Sequence, residues 1–353
     1  MTGRWMRGVA LPLPQVTVTG KVVCFGELLL RLTAAGRELL LQNGRLDVHV
    51  GGAEANVAVG LACLGHETAM VSRVPDNALG KSAVGHLRRY GVSVDGVAPA
   101  EGRMGLYFLA VGAGLRPSSI VYDREGSSFA LADKDDFEWE HLLDGAVLLH
   151  LSGITPALGP RSADATLAAA QAARARGIKV SFDGNYRAQL WKRWDSDPRG
   201  ILAELIGSAD ILFGNHRDIS LLLGREFSGD GEKRRRDASE AAFSAFPSLQ
   251  LIASTARHID DADRHRIAAR VDARDGSFQT EEVVVAGIVD RIGAGDAFAA
   301  GVLHGVLGGG NYEGIAHSGL ALACLKHSLP GDASLFTQAD IDAFLNGELD
   351  VRR

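Results

Sequence analysis

The sequence predicts a doubly wound α/β fold, a three-layer sandwich with a mostly parallel sheet, to which a small β-sheet lid is added. Three observations predict it. Short apolar runs of the kind buried on both faces alternate with helical stretches along most of the chain. Two glycine turns, Gly51-Gly52 and Gly293-Ala294-Gly295, each open a helix rich in small residues. Two stretches in the first third, Glu38–Val50 and Gly105–Asp123, instead alternate apolar with polar residues, the mark of a sheet with one wet face.

Residues 1–20 read as a flexible N-terminal extension. Two arginines and a short apolar patch stand there, but Pro12 and Pro14 leave no apolar run of about 7 residues and no small-x-small site follows. Residues 21–353 read as one domain, with its lid formed by about 36–50 and 103–125. Val22–Leu32 is almost continuously apolar and is expected as a strand buried on both faces, interrupted by Gly26-Glu27. A helix over Ala53–Leu64, a strand over Thr68–Val74 and a helix from a cap near Asp76 to Tyr90 follow. Gly105–Val111 and Ser119–Asp123 are expected as a hairpin and, with Glu38–Val50, as a four-stranded lid.

From Ala146 the βα rhythm resumes without a linker. Strands are expected over Ala146–Leu151, Lys179–Asp183, Asp210–Phe213 and Leu249–Ser254, and helices over Ser162–Arg176, Asp197–Ile206 and Arg217–Leu223. His265–Val271 and Thr280–Val285 read as antiparallel edge strands, and helices to about Leu307, over Tyr312–His327 and over Gln338–Asn346 close the domain. In such sheets ligands bind beyond the carboxyl ends of the strands. The loops after Val50, Asp183, Phe213, Ser254 and Val285 therefore converge.

Composition narrows the partners. With 353 residues, 46% hydrophobic and 23% charged, the chain can bury a large core. A net charge of −6, with Lys233–Arg236 read as a short solvated turn, argues against nucleic acid. No run of about 18 apolar residues is present to span a membrane. Cys24, Cys63 and Cys324 lie in apolar segments without metal spacing and read as free thiols in a reducing cytoplasm. His258 and His265 likewise lack ligand spacing and read as surface residues.

The stretch V-D-R-I-G-A-G-D at Val289–Asp296 carries the chemistry. Glycines let the backbone approach a ligand, and the first turn of a helix presents unpaired N–H groups, which makes a cradle for an anion. Asp296 puts a proton acceptor beside the place where negative charge would develop. This motif and G-G-A-E-A-N at Gly51–Asn56 together resemble the two signatures of the PfkB (ribokinase-like) carbohydrate kinases, over about Val22 to Phe344.

The resemblance implies ATP and Mg²⁺, with Asp296 as general base and the amides of Gly293, Ala294 and Gly295 facing the phosphoryl group. Gly51, Gly52 and Asn56 would line the sugar hydroxyls. Asn215 with Asp218 resembles the N-x-x-E element that organises magnesium, the acid here one methylene shorter, and Ser254 would border the nucleotide. Family members often carry a glycine-rich turn after that serine, where this chain reads T-A-R-H-I-D-D. Arg291 stands where many members have threonine; it either neutralises phosphate or substrate charge or pairs with Asp290. Glu54 reaches solvent or the sugar.

Two segments, F-D-G-N-Y-R-A-Q-L-W at Phe182–Trp191 and the lid pair around Tyr107 and Tyr122, look like those of the family's 2-keto-3-deoxygluconate kinases. There residues at the positions of Tyr107, Tyr122, Arg124 and Arg187 hold the substrate. A guanidinium fork suits a sugar-acid carboxylate, whereas a neutral hexose needs no such pair. The expectation is ATP-dependent phosphorylation of 2-dehydro-3-deoxy-D-gluconate. The alternatives are a fructokinase or other neutral-sugar kinase, and a catalytically silent sugar-binding regulator. Small sheets with apolar faces seek cover, so a homodimer or larger assembly through the lid is expected.

Overall fold

The computed structural model describes residues 20–229 and 231–348. The expected extension, apart from Gly20, lies outside the described residues. Among the described residues fourteen strands form a sheet of ten and a sheet of four. In chain order they are β1 (Lys21–Phe25), β2 (Leu29–Ala34), β3 (Leu46–Gly51), β4 (Thr68–Pro75), β5 (Ser93–Ala100), β6 (Gly105–Ala110) and β7 (Ser119–Asp123), then β8 (Ala146–Ser152), β9 (Lys179–Asp183), β10 (Ile211–Phe213), β11 (Leu251–Asp261), β12 (Arg264–Ala273), β13 (Ser277–Gln279) and β14 (Val283–Ala286).

The large sheet has the order β13-β12-β11-β10-β9-β8-β1-β4-β5, with β14 on β12. Pairing is parallel from β5 to β11 and antiparallel among β11–β14. The chain winds one way from β1 through β4 and the other way from β8, so the strand order reverses beside β1, where such sheets open a crevice. Alternate residues of β1 enter opposite cores. Val22 and Cys24 pack with helices Ala53–Cys63, Ala294–Leu307 and Tyr312–Lys326, while Val23 and Phe25 pack with helices Pro160–Ala175 and Pro198–Gly207. Both faces of the sheet are therefore covered, which makes three layers.

Several boundaries differ from expectation. The apolar run from Val22 is two strands, because the chain leaves the large sheet at Gly26 and continues as β2 in the lid. Gly26 permits the exit: a Cβ there would collide with the Glu54 carboxylate. The lid, in order β3-β2-β6-β7, thus takes its fourth strand from residues 29–34, and residues 36–45 are loop. Lys233–Arg236 lies inside a helix, Gly231–Ala245, with Arg236 held by Glu240 and Asp272, and not in a turn. Asn77, not Asp76, caps the helix Ala78–Arg89, its side chain accepting from Leu79 and Gly80 amides.

The largest departure is β11. It does not stop at Ser254 but runs to Asp261 and returns as β12, so the supposed loop is a hairpin. Its tip touches the lid: Ala262 N donates to Gly114 O at 3.1 Å, and Arg37 reaches Asp263 at 2.5 Å. His265, on the returning strand, is buried at 2% exposure and is no surface residue. No helix among the described residues is long and apolar enough to cross a membrane.

The helix Ala294–Leu307 packs directly against Tyr312–Lys326. Gly301 faces the Ser318 carbonyl and Gly319 faces Phe298 and Val302, so any Cβ at either glycine would clash. The small residues of the sequence are thereby explained. They let two helices approach, and the approach anchors the turn at the head of the first.

Candidate active site

A cleft of about 590 Å³ opens beyond the carboxyl ends of the central strands, under the lid. Its lining includes Gly52, Asn56, Tyr107, Tyr122, Arg124, Arg187, Asn215, Asp218, Ser254, Gly293, Ala294, Gly295 and Asp296, which the topology carries in from seven separate segments. Gly51 is not part of that lining. It ends β3 against the Asp332 carboxylate, where a side chain would collide. Gly52 adopts a φ of 142° and leaves no room for a Cβ against the Glu27 carbonyl, so glycine is required there.

The anion turn is built as the motif suggested, with one exception. Gly293 caps the helix in the left-handed region, φ 78°, and sits against the Asp332 carbonyl oxygen. Ala294 N already donates to Arg291 O at 3.3 Å. The amides of Gly293, Gly295 and Asp296 find no protein acceptor among the described residues, so these, rather than Ala294, are free for an anion.

Asp296 is half-buried and faces the cleft. Burial pushes its carboxyl up to about 7; a hydrogen bond from Asn56 Nδ2 at 2.6 Å works in the opposite direction. Asp183, on the same cleft, is pushed up to about 6 by burial, with Arg187 opposing and Asp218 adding to the rise. Glu54 reaches neither solvent nor the cleft. It is 1% exposed, accepts a hydrogen bond from Thr155 Oγ1 at 2.5 Å and is raised to about 8 by burial.

On the lid side Arg124 is 4% exposed, and its Nε donates to Glu27, itself 1% exposed, while the guanidinium borders the cleft. A buried carboxylate thus orients the arginine. Arg187 is exposed, has no carboxylate within ion-pair distance among the described residues, and its Nη1 touches only the neighbouring Tyr186 carbonyl. Tyr107 donates from its hydroxyl to Asp332 Oδ2 at 2.6 Å, and its ring lies 6.3 Å from that of Tyr122.

Asn215 and Asp218 form a reciprocal cap on the helix His216–Leu223: Asn215 N donates to Asp218 at 2.8 Å and Asn215 Oδ1 accepts from Arg217 N at 2.8 Å. Both residues line the cleft. Among the described residues no three histidine, cysteine or acidic groups converge to cage a metal. A magnesium ion would fit here as one that arrives on phosphates and meets one or two carboxylates, Asp218 and Asp183, through water.

Behind the turn lies a charged group that the sequence did not announce. Arg31, 1% exposed, donates from Nη2 to Asp290 Oδ2 at 2.5 Å, and its Nη1 stands 3.0 Å from Asp332 Oδ1 in an ion pair that misses hydrogen-bond alignment. Asp290 also accepts from the amides of Ile292 at 2.9 Å and Gly331 at 3.1 Å. Arg291 is therefore not the partner of Asp290. The wholly buried Lys326 donates to Leu329 O at 2.9 Å and feels the charges of Asp290 and Asp332. Asp332, which lines the cleft, was signalled only by its place after a Pro-Gly turn.

Comparison with known proteins agrees with this geometry. The description "pfkB family carbohydrate kinase" matches residues 19–338. The chain is 31% identical to a 2-dehydro-3-deoxygalactonokinase of Haloferax volcanii, over 94% of this chain and 98% of that one. It is 28% identical to a 2-dehydro-3-deoxygluconokinase of Bacillus subtilis, over 94% and 97% of the two. The crystal structure of 2-dehydro-3-deoxygluconokinase from Thermotoga maritima superposes with a TM-score of 0.88 at 36% identity, covering 93% of this chain and all of that one.

Proposed function

Because the chain belongs to the pfkB family of carbohydrate kinases, we propose that it transfers the terminal phosphoryl group of ATP to the 6-hydroxyl of 2-dehydro-3-deoxy-D-gluconate. The product would be 2-dehydro-3-deoxy-6-phosphogluconate, the aldolase substrate of the Entner–Doudoroff route. The observation that carries this reading is one cleft holding both Asp296 on its anion turn and the guanidinium groups of Arg124 and Arg187. A proton acceptor and a carboxylate receptor in one crevice fit an acid sugar.

Asp296 takes the proton of the 6-hydroxyl, and the Gly293 and Gly295 amides receive the charge of the migrating group. Arg124 and Arg187 face the substrate carboxylate, Tyr107 and Tyr122 flank the sugar chain, and Gly52 and Asn56 meet its hydroxyls. Asn215 and Ser254 border the nucleotide. Magnesium bound to the phosphates would supply charge neutralisation, with Asp218 and Asp183 as its water-mediated carboxylates. Free cysteines suit a reducing cytoplasm.

ADP release is the test, measured against both epimers of the 2-keto-3-deoxy acid, aldonates and neutral hexoses. Turnover is expected with 2-dehydro-3-deoxy-D-gluconate. Preference for fructose would make the chain a neutral-sugar kinase, and nucleotide binding without turnover of any sugar would make it a silent regulator. Arg187→Ala should lower kcat/KM for the acid by ~10- to 10²-fold, the cost of a lost charged hydrogen bond, and leave any residual hexose activity unchanged.

The outer face of the lid supports a second assignment. Val48, Leu32, Phe108 and Val121 stand opposite one another in a single cross-strand row, and Val48 and Val121 are 58% and 51% exposed. Such a row asks for an apolar cover, which a second lid would provide by symmetry. A dimer mass is expected by light scattering, and Val48→Asp should reduce it to the mass of one chain. A wild-type protein with the mass of one chain would overturn the assignment.

A further inference from the structure

Arg291 and the hairpin after Ser254 are the two stretches that depart from the family pattern, and the fold brings them together. Arg257 stands on β11 beyond its last pairing with β10 at Ala253, with Ile267 of β12 opposite it, and lines the cleft beside Thr255. Arg291 lines the same cleft at the head of the anion turn. Asp290, its neighbour in sequence, is occupied by Arg31 and two amides.

The acids around the hairpin are engaged elsewhere, Asp261 by the Asp263 amide, which donates to its Oδ1 at 2.7 Å. Asp260 faces Arg264 and Arg266, Glu282 faces His258 and Arg266, and Asp263 faces Arg37. Among the described residues neither the Arg257 nor the Arg291 guanidinium has a hydrogen-bond or ion-pair partner. Yet the two feel each other. Burial, and then the charge of Arg291, push Arg257 below the usual arginine range, and the same two cations help to hold buried His265 below its own. Like charges facing each other cost free energy unless an anion lies between them. Here they flank a turn whose amides are already free for one.

We propose that Arg257 and Arg291 form a guanidinium clamp for the terminal phosphates of the nucleotide. The inference rests on the kinase reading of the cleft. As the bond from the γ-phosphorus to the β,γ-bridging oxygen breaks and the bond to the sugar oxygen forms, charge accumulates on the bridging oxygen and the proton of the hydroxyl passes to Asp296. Two planar forks can follow that charge across both phosphates while staying protonated themselves. Because no protein carboxylate among the described residues pairs with either guanidinium, a highly charged ligand is what relieves their repulsion, and this makes the clamp selective.

The test is calorimetric binding of MgATP, MgADP and the β,γ-imido analogue to the full chain, without sugar, together with steady-state kinetics. Arg257→Met and Arg291→Thr should each cut the preference for triphosphate over diphosphate about tenfold, and lower kcat by ~10²-fold. Without nucleotide, each substitution should raise the thermal midpoint, because it removes one of two facing cations; a merely structural arginine would lower it. Equal losses for ATP and ADP would overturn the clamp, as would unchanged nucleotide binding with a raised KM for the sugar acid, which would assign the pair to the carboxylate. If the wild type phosphorylates no sugar acid, the substrate reading fails, while the ATP-to-ADP comparison still decides the clamp.

Discussion

Asp296→Asn is expected to lower kcat by ~10²–10⁴ while leaving nucleotide binding nearly unchanged, because the amide keeps the shape of the carboxylate but cannot accept a proton. Its pH dependence makes the prediction sharper. Burial, with smaller contributions from Asp183 and Asp332, raises the Asp296 carboxyl to about 7 against the pull of Asn56 and Arg187. A base works only when deprotonated, so kcat/KM of the wild type should fall about tenfold per unit below pH 7. Asn56→Leu removes the donor that favours the charged form and should move this acid limb upward. A limb that stays in place in that variant would dissociate it from Asp296.

The same residue should limit the stability of the fold. Its folded pKa lies above its ordinary value, so the native state binds the proton more tightly than the unfolded chain does. That contribution is present in acid and is lost as pH rises from the ordinary carboxylate range through about 7. The asparagine variant carries no such dependence. Its thermal midpoint should exceed that of the wild type at pH 8 by more than at pH 5, and equal differences at both would remove the premise of a strained carboxylate. Activity and stability are then opposed at one side chain.

What the sequence made legible follows from what a short segment can encode. The anion turn was readable because glycines and a carboxylate at fixed spacing leave few conformations. The rhythm of strands and helices was readable from period alone. By contrast β2 was merged with β1, since a run of apolar residues looks the same whether it enters a central sheet or the inner face of a lid. The extension of β11 past Ser254 reads as loop because residues 255–261 are mostly exposed and have no apolar period to show, whereas the returning strand is legible. The helix Gly231–Ala245 was missed for a related reason: its first turns are basic, and the acids that hold them come from Glu240 and distant Asp272. Arg31 was invisible as a site residue. Its partner Asp290 is 259 positions away, and no local pattern announces a pairing at that separation.

Arg31 carries the second large expectation. Arg31→Met should destabilise the fold by about 3–5 kcal/mol, the usual loss when one member of a buried ion group is removed and its partners stay charged. Asp290 and Asp332 would face each other with Lys326 as the remaining nearby cation among the described residues, and Lys326 is already engaged by the Leu329 carbonyl. Lysine at 31 should not rescue, because one ammonium cannot span the two carboxylates that the fork bridges. Adding Asp332→Asn to Arg31→Met should recover part of the loss, since it removes one of the stranded charges, and the two substitutions should be far from additive. Activity should fall further than stability requires. Asp290 holds the Ile292 and Gly331 amides, and the Gly293 turn leans on the Asp332 carbonyl, so a shift of ~1 Å here moves the amides that meet the phosphoryl group and can cost about 10²-fold in rate. Urea midpoints and kcat measured on the single and double variants decide it. If Arg31→Met loses less than about 1 kcal/mol, the lid strand is not what positions the anion turn, and the wiring from β2 through Asp290 to Asp296 fails with it.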